Sequence, residues 1–207
     1  VKVITGIEAV KLDRAGKTVY AKNHNTGADE TYDYDMLVIA TGARPVKPPI
    51  PGIDLENIFT LRDPDDADRI KAAVATGNIK RACIIGGGAI GLEMAENLSL
   101  LGVRASVIDM APHILPGYDA DFADYAENML ADHGIPVFLN DSVVGFEGEG
   151  RVQKLRTEKR AIKTDMVIMS VGVRPNTEWL EGSGLNFVEG TRILDVDEYM
   201  RTNDESI

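Results

Sequence analysis

The sequence predicts an α/β protein: a domain with a parallel sheet and a small antiparallel hairpin sheet, inserted into an incomplete second domain of similar plan. Two observations predict it. Residues 81–110 run as apolar strand, glycine-rich turn, amphipathic helix and second apolar strand, the pattern of a parallel βαβ unit. Elsewhere, Gly42-Ala43-Arg44-Pro45 and Gly172-Val173-Arg174-Pro175 each follow a short apolar run, and each run follows a stretch of hairpin-like strands. Gly6-Ile7-Glu8 and Gly145-Phe146-Glu147 open those two stretches alike, so the chain reads as two copies of one plan.

Taken in order, Val1–Val10 and Lys17–Lys22 are strand-like, and Asn25-Thr26-Gly27 marks the turn to a third strand. Met36–Ala40 is an apolar run expected to form a strand. Prolines 45, 48, 49 and 51 make an extended connector. A helix is expected from Pro64 to about Thr76, with Asp63 as its cap and proline in its first turn. After the central unit come a helix over Asp119–His133, stopped by Gly134, and a strand over Ile135–Leu139. Hairpins follow from Ser142, with a turn at Gly148-Glu149-Gly150 and strands over Val152–Thr157 and Arg160–Thr164. Met166–Val171 is a further apolar strand, and the irregular tail holds a last candidate at Thr191–Leu194.

The chemistry is concentrated in the central unit. Ala82–Ile85 breaks at Gly86-Gly87-Gly88-Ala89-Ile90-Gly91, which fits G-x-G-x-x-G. The first glycine permits a tight turn, the second lets a pyrophosphate approach the backbone, and the third lets helix and strand pack closely. Ile90, Met94, Leu98 and Leu101 recur at helical spacing and are expected to face the core, with Gly102 as the stop. The N-terminus of that helix is an anion site. The second strand, Ala105–Ile108, ends on Asp109, where a carboxylate can accept both hydroxyls of an adenosine ribose. Asp109 would repel a 2′-phosphate, and Met110-Ala111-Pro112-His113 offers no arginine to receive one, so NADH is expected over NADPH.

Composition narrows the partners. A net charge of −11 with interspersed signs argues against a nucleic-acid footprint or an anionic membrane surface. No apolar run has the length of a membrane span, and no secretory signal opens the chain, which makes the cytoplasm the expected compartment. Cys83 is the one cysteine and sits inside an apolar strand, so it reads as a buried structural thiol. His24, His113 and His133 show no ligand spacing among themselves, and no metal site is assigned. Asp119, Asp121 and Asp124 read as a solvated helix start, and Trp179 as a packing residue.

Several stretches resemble the pyridine nucleotide-disulfide oxidoreductases, flavoproteins with two Rossmann-like domains and a C-terminal dimerisation domain. They are Tyr34–Pro45, Ile85–Glu96, Gly150–Lys154, Ser170–Thr177 and Asp197–Thr202. The nearest branch holds NADH peroxidase, NADH oxidase and coenzyme A-disulfide reductase. The resemblance implies that 1–62 and 173–207 belong to an FAD domain and that the NAD domain lies between. It implies that Tyr118 packs on adenine, that Glu93 and Met110 lie at the cofactor, and that Val171 and Gly172 meet the nicotinamide. It places Thr41 and Gly42 where the FAD-domain chain crosses over. Ala89 stands where peroxidase-type members carry an aromatic residue. The implied parent is a homodimer, joined through a C-terminal domain absent here, that passes electrons to a small acceptor such as a disulfide, persulfide, peroxide or oxygen. Its redox cysteine would lie upstream of Val1. By itself this chain is therefore expected to be inactive and not to retain FAD. A non-catalytic NAD-sensing module, or a nitrite or ferredoxin-type reductase flavoprotein, remains an alternative.

Overall fold

The computed structural model describes all 207 residues, Val1–Ile207. The chain forms two compact units, Val1–Arg44 with Arg174–Ile207, and Pro45–Val173.

The first unit opens with an antiparallel meander of β1 (Ile7–Asp13), β2 (Thr18–Asn23) and β3 (Asp29–Asp33). Gly27, at φ +77°, makes the turn between β2 and β3. Leu12, Leu180 and Leu185 form its small core, joined by Leu37, Ile39 and Trp179. Met36–Ala40 is not a strand, contrary to expectation. Leu37 and Ile39 pack inward while Met36 and Val38 are 71% and 87% exposed, so the segment is extended but covered on one face only. Its Leu37 N–H donates to the Ser206 carbonyl, and no strand ladder forms beside it. Thr191–Leu194 likewise makes one isolated bridge, Phe187 to Leu194, in place of the expected strand.

β4 (Ala43–Pro45) pairs with a late strand over Val173–Pro175 (β13 below) in a two-stranded ribbon. The two Gly-x-Arg-Pro repeats are therefore hydrogen-bonded neighbours. Each opens on a left-handed glycine, Gly42 at φ +65° and Gly172 at φ +96°.

The second unit holds β5 (Ile58–Thr60), α1 (Pro64–Ala75), β6 (Arg81–Ile85), α2 (Ala89–Leu100), β7 (Arg104–Ile108), α3 (Ala120–Asp132) and β8 (Val137–Phe138). β9 (Val143–Glu147), β10 (Lys154–Thr157), β11 (Ala161–Lys163), β12 (Met166–Met169) and β13 (Val173–Pro175) follow. Asp63 caps α1, accepting from the Asp66 N–H at 2.9 Å. The parallel sheet has the order β5-β12-β6-β7-β8, and β9–β11 form a separate antiparallel meander.

Pleating explains why β6 from Ala82 onward and all of β12 are apolar. Ile84 and Ile168 pack on one face with Ala95, Leu98 and Ile70 of the helices. Cys83, Ile85, Val167 and Met169 pack on the other with Phe146, Val152 and Leu155 of the meander. A strand covered on both faces cannot alternate with polar residues.

Two expectations need correction. The structural division falls at Arg44/Pro45, not at 62/63, while its return at Val173/Arg174 lies one residue from the expected point. Ile50, Ile53 and Leu55 pack into the second unit's core, the Phe146 N–H donates to the Pro51 carbonyl, and β5 pairs with β12. The proline-rich segment is thus part of that unit rather than a linker. In α2 the buried residues are Gly91, Ala95 and Leu98, while Ile90 is 49% exposed and Leu101 is also exposed. Gly91 makes the closest approach, and its face, one residue on from Ile90, turns to the sheet.

Candidate functional site

The parallel strands β6, β7 and β12 end on one side of the second unit, and there the chain lines an open-mouthed cavity of about 760 Å³. Gly86, Gly88, Ala89 and Ile90 line it after β6, Asp109 and Met110 after β7, and Ser170, Val171 and Gly172 after β12. A crevice at the carboxyl ends of such strands is where open α/β sheets bind ligands, and the volume suits a large organic molecule.

The glycine turn has steric reasons at Gly86 and Gly91. Gly86 has φ +105°, and a Cβ there would lie 2.1 Å from the Ser170 carbonyl oxygen. A Cβ on Gly91 would lie 2.0 Å from the Gly86 carbonyl oxygen, which is how closely α2 packs on the turn. Gly88 is different: nothing lies within 4 Å of its Cβ position, so the space in front of it is open. Gly88 is also the cap of α2 and provides no side chain to accept from the first-turn N–H groups. Those donors and the positive end of the helix face an open space that an anion can fill.

Asp109 closes the turn from the side. Its Oδ2 accepts from the Gly87 N–H at 2.6 Å and its Oδ1 from the Ala111 N–H at 2.8 Å. Each carboxylate oxygen keeps a lone pair for a ligand hydroxyl. The loop after Asp109 folds back over the glycines: the Leu115 N–H donates to the Gly87 carbonyl, and buried Ile114 packs beside Gly87.

The remaining expected residues divide. Gly87 and Gly91 shape the turn without lining the cavity. Glu93 lies beyond the first turn of α2, is exposed, and does not line the cavity. Tyr118 is exposed and leans on Phe122, with ring centroids 6.3 Å apart; it too lies outside the cavity wall. Thr41 and Gly42 belong to the first unit, where the Thr41 hydroxyl donates to the Asn176 carbonyl and the Asn176 N–H to that of Gly42. Cys83 is buried, and burial pushes its thiol pKa up. His113, given no metal role from sequence, has Nδ1 3.7 Å from an Asp124 oxygen and 3.8 Å from a Glu127 oxygen, an exposed ion-pair group.

Sequence reasoning missed part of the wall. Pro45, Val46, Pro48 and Ile50 line it, although the prolines read only as a connector. Asp141 and Ser142 line it after β8, as Asp109 does after β7. Asp141 stands just past a parallel strand, and that position is the signal by which it could have been found.

The family described as "Pyridine nucleotide-disulphide oxidoreductase" matches residues 1–207. An NADH oxidase of Enterococcus faecalis is 40% identical over 212 residues, covering 100% of this chain and 46% of that protein. The chain thus spans about half the length of that curated relative. The structure of an NAD-dependent persulfide reductase from A. fulgidus superposes with a TM-score of 0.92 at 37% identity, over 100% of this chain and 38% of that one. The NADH-bound water-forming NADH oxidase of Lactobacillus brevis gives a TM-score of 0.85 at 32% identity, over 97% and 44%. No helix here is long and apolar enough to cross a membrane.

Proposed function

The chain belongs to the pyridine nucleotide-disulphide oxidoreductases, and on that premise we propose that its second unit is the NADH-binding part of an FAD-dependent oxidoreductase. The observation that carries the reading is the open space before Gly88, next to uncapped helix N–H groups and beside the Asp109 carboxylate.

Gly88 and the first turn of α2 hold the pyrophosphate, because a Cβ at Gly88 would project into the space the phosphates need. Asp109 accepts the ribose hydroxyls with the lone pairs left over from Gly87 and Ala111. Val171 and Gly172 line the β12 end of the cavity and orient the nicotinamide. Ala89 at the cavity wall has only a methyl group, so the way to the nicotinamide has no aromatic ring across it. Bound NADH supplies the hydride that the family's flavin receives, and a small disulfide, persulfide, peroxide or oxygen acceptor takes the electrons in the whole protein. The contribution of this chain to that step is position and electrostatics. Cys83, buried and with its thiol pKa raised, is not the sulfur that receives the electrons.

Titrating the purified chain with NADH and NADPH tests the reading. NADH should bind at least about tenfold more tightly, a gap of about 1.4 kcal/mol, because a 2′-phosphate would meet the Asp109 carboxylate. Equal affinities would remove Asp109 from the ribose, and no NADH binding at all would end the proposal.

A further inference from the structure

The cavity wall contains a second carboxylate, Asp141, whose side chain is fully buried. Burial of a charge demands a partner, and the partner is Arg160, from the turn between β10 and β11. Arg160 Nε lies 2.8 Å from Asp141 Oδ2, yet no well-directed hydrogen bond reaches that oxygen, so the contact is chiefly electrostatic. Asp141 Oδ1 accepts from the Lys159 N–H at 3.3 Å. The guanidinium also sits over the Phe138 ring, 4.4 Å from its centroid.

Arg160 stands behind the stretch of cavity wall that Asp141 shares with Asp109, without itself lining the cavity. The Asp109 N–H donates to the Phe138 carbonyl, and the Asp141 N–H donates to the Asp109 carbonyl. Both residues that hold the guanidinium therefore flank the backbone of Asp109. Fifty-one positions separate Asp109 from Arg160 in the sequence, yet the fold brings an arginine, which residues 110–113 lack, onto a residue hydrogen-bonded to the backbone of Asp109. An arginine here would ordinarily invite a phosphate. The Arg160 side chain is 39% exposed, so it can move towards one once released.

We propose that Asp141 is a specificity-determining residue: by neutralising and holding Arg160 behind the cavity wall, it withholds that guanidinium from a 2′-phosphate and so favours NADH over NADPH. The inference rests on the NADH reading above. Asp109 repels the extra phosphate directly, and Asp141 removes the one cation placed to compensate.

The test is the ratio of NADPH to NADH dissociation constants, measured on the purified chain by nucleotide fluorescence. Asp141→Asn keeps the shape and removes the charge; the ratio should fall about tenfold towards NADPH, the worth of one charge-assisted phosphate contact. Adding Arg160→Gln to that variant should restore the wild-type ratio, because the gain runs through the guanidinium. A purely structural Asp141 would weaken both nucleotides alike and leave the ratio unmoved, which would overturn the proposal. So would a shifted ratio that survives the second substitution. Should Asp141→Asn fail to fold, Asp141→Ser replaces it: the charge is again removed, the ratio should again fall about tenfold and return on adding Arg160→Gln, and an unmoved ratio there overturns the proposal equally. Absence of NADH binding in the wild-type chain is a separate outcome, which would refute the underlying reading.

Discussion

The N–H of Gly87 donates to Oδ2 of Asp109 at 2.6 Å, joining the middle of the glycine turn to the end of the neighbouring strand. Twenty-two positions apart in sequence, the two residues act as one device. The carboxylate that is to hold the ribose also fixes the turn that is to hold the pyrophosphate, so their separation is set before any ligand arrives.

Asp109→Asn should therefore cost more than a lost ribose contact. An amide supplies one acceptor where two are needed, so either Gly87 or Ala111 loses its partner, at about 1–3 kcal/mol for a buried donor. NADH affinity should fall more than tenfold, with a lowered melting temperature of the second unit. Unchanged affinity and melting would mean that neither role belongs to Asp109.

The two flanking glycines should fail in different ways. Gly88 has φ −76° and open space at its Cβ, so Gly88→Val should leave the circular dichroism unchanged while weakening NADH by about 100-fold or more, roughly 2.7 kcal/mol. Gly91→Ala would normally gain up to about 1 kcal/mol in a helix. Here the methyl would meet the Gly86 carbonyl oxygen at 2.0 Å, and the clash should reverse the sign to a loss of about 1–3 kcal/mol. Thermal melts of both variants check this, and a stabilised Gly91→Ala would refute the close packing.

In the first unit, Asp204 has its pKa held at about 2 by the Ser206 N–H, the Arg14 guanidinium and the Ser206 hydroxyl, against an ordinary 3.8. The folded form binds the proton less readily than the unfolded one, so this carboxylate stabilises the unit above about pH 3.8. That stability drains away as the pH falls from 3.8 towards 2. Trp179, the chain's single tryptophan, packs in the same core and reports its unfolding. Asp204→Asn should lower the fluorescence-detected midpoint at pH 7, and the gap from wild type should close by about pH 2. A gap that stays constant across that range would assign the stabilisation to shape rather than charge.

Much of this architecture is written in local pattern. A strand buried on both faces must be apolar, so β6, β7 and β12 are visible as runs, and a cap followed by proline marks the start of α1. The glycines of 86–91 and Asp109 are legible because turn, helix start and strand end follow one another within about thirty residues. The likeness of the two Gly-x-Arg-Pro turns is legible as a repeat, but their pairing with each other is not.

What sequence alone determined here is therefore the local order of elements, the glycine turn and the acid that follows it. Tertiary structure alone decided which long-range neighbours complete them. The face of α2 that turns inward depends on where Gly91 meets the Gly86 carbonyl, so Ile90 lies outside despite its periodicity. The proline-rich segment joins the second unit because its isoleucines find that core. Arg160 comes to Asp141 because a hairpin folds back beside β8, and Met36–Ala40 is no strand because no ladder forms beside it. Periodicity records which faces of a segment are apolar; burial and charge pairing are properties of two segments, and only folding brings the second one.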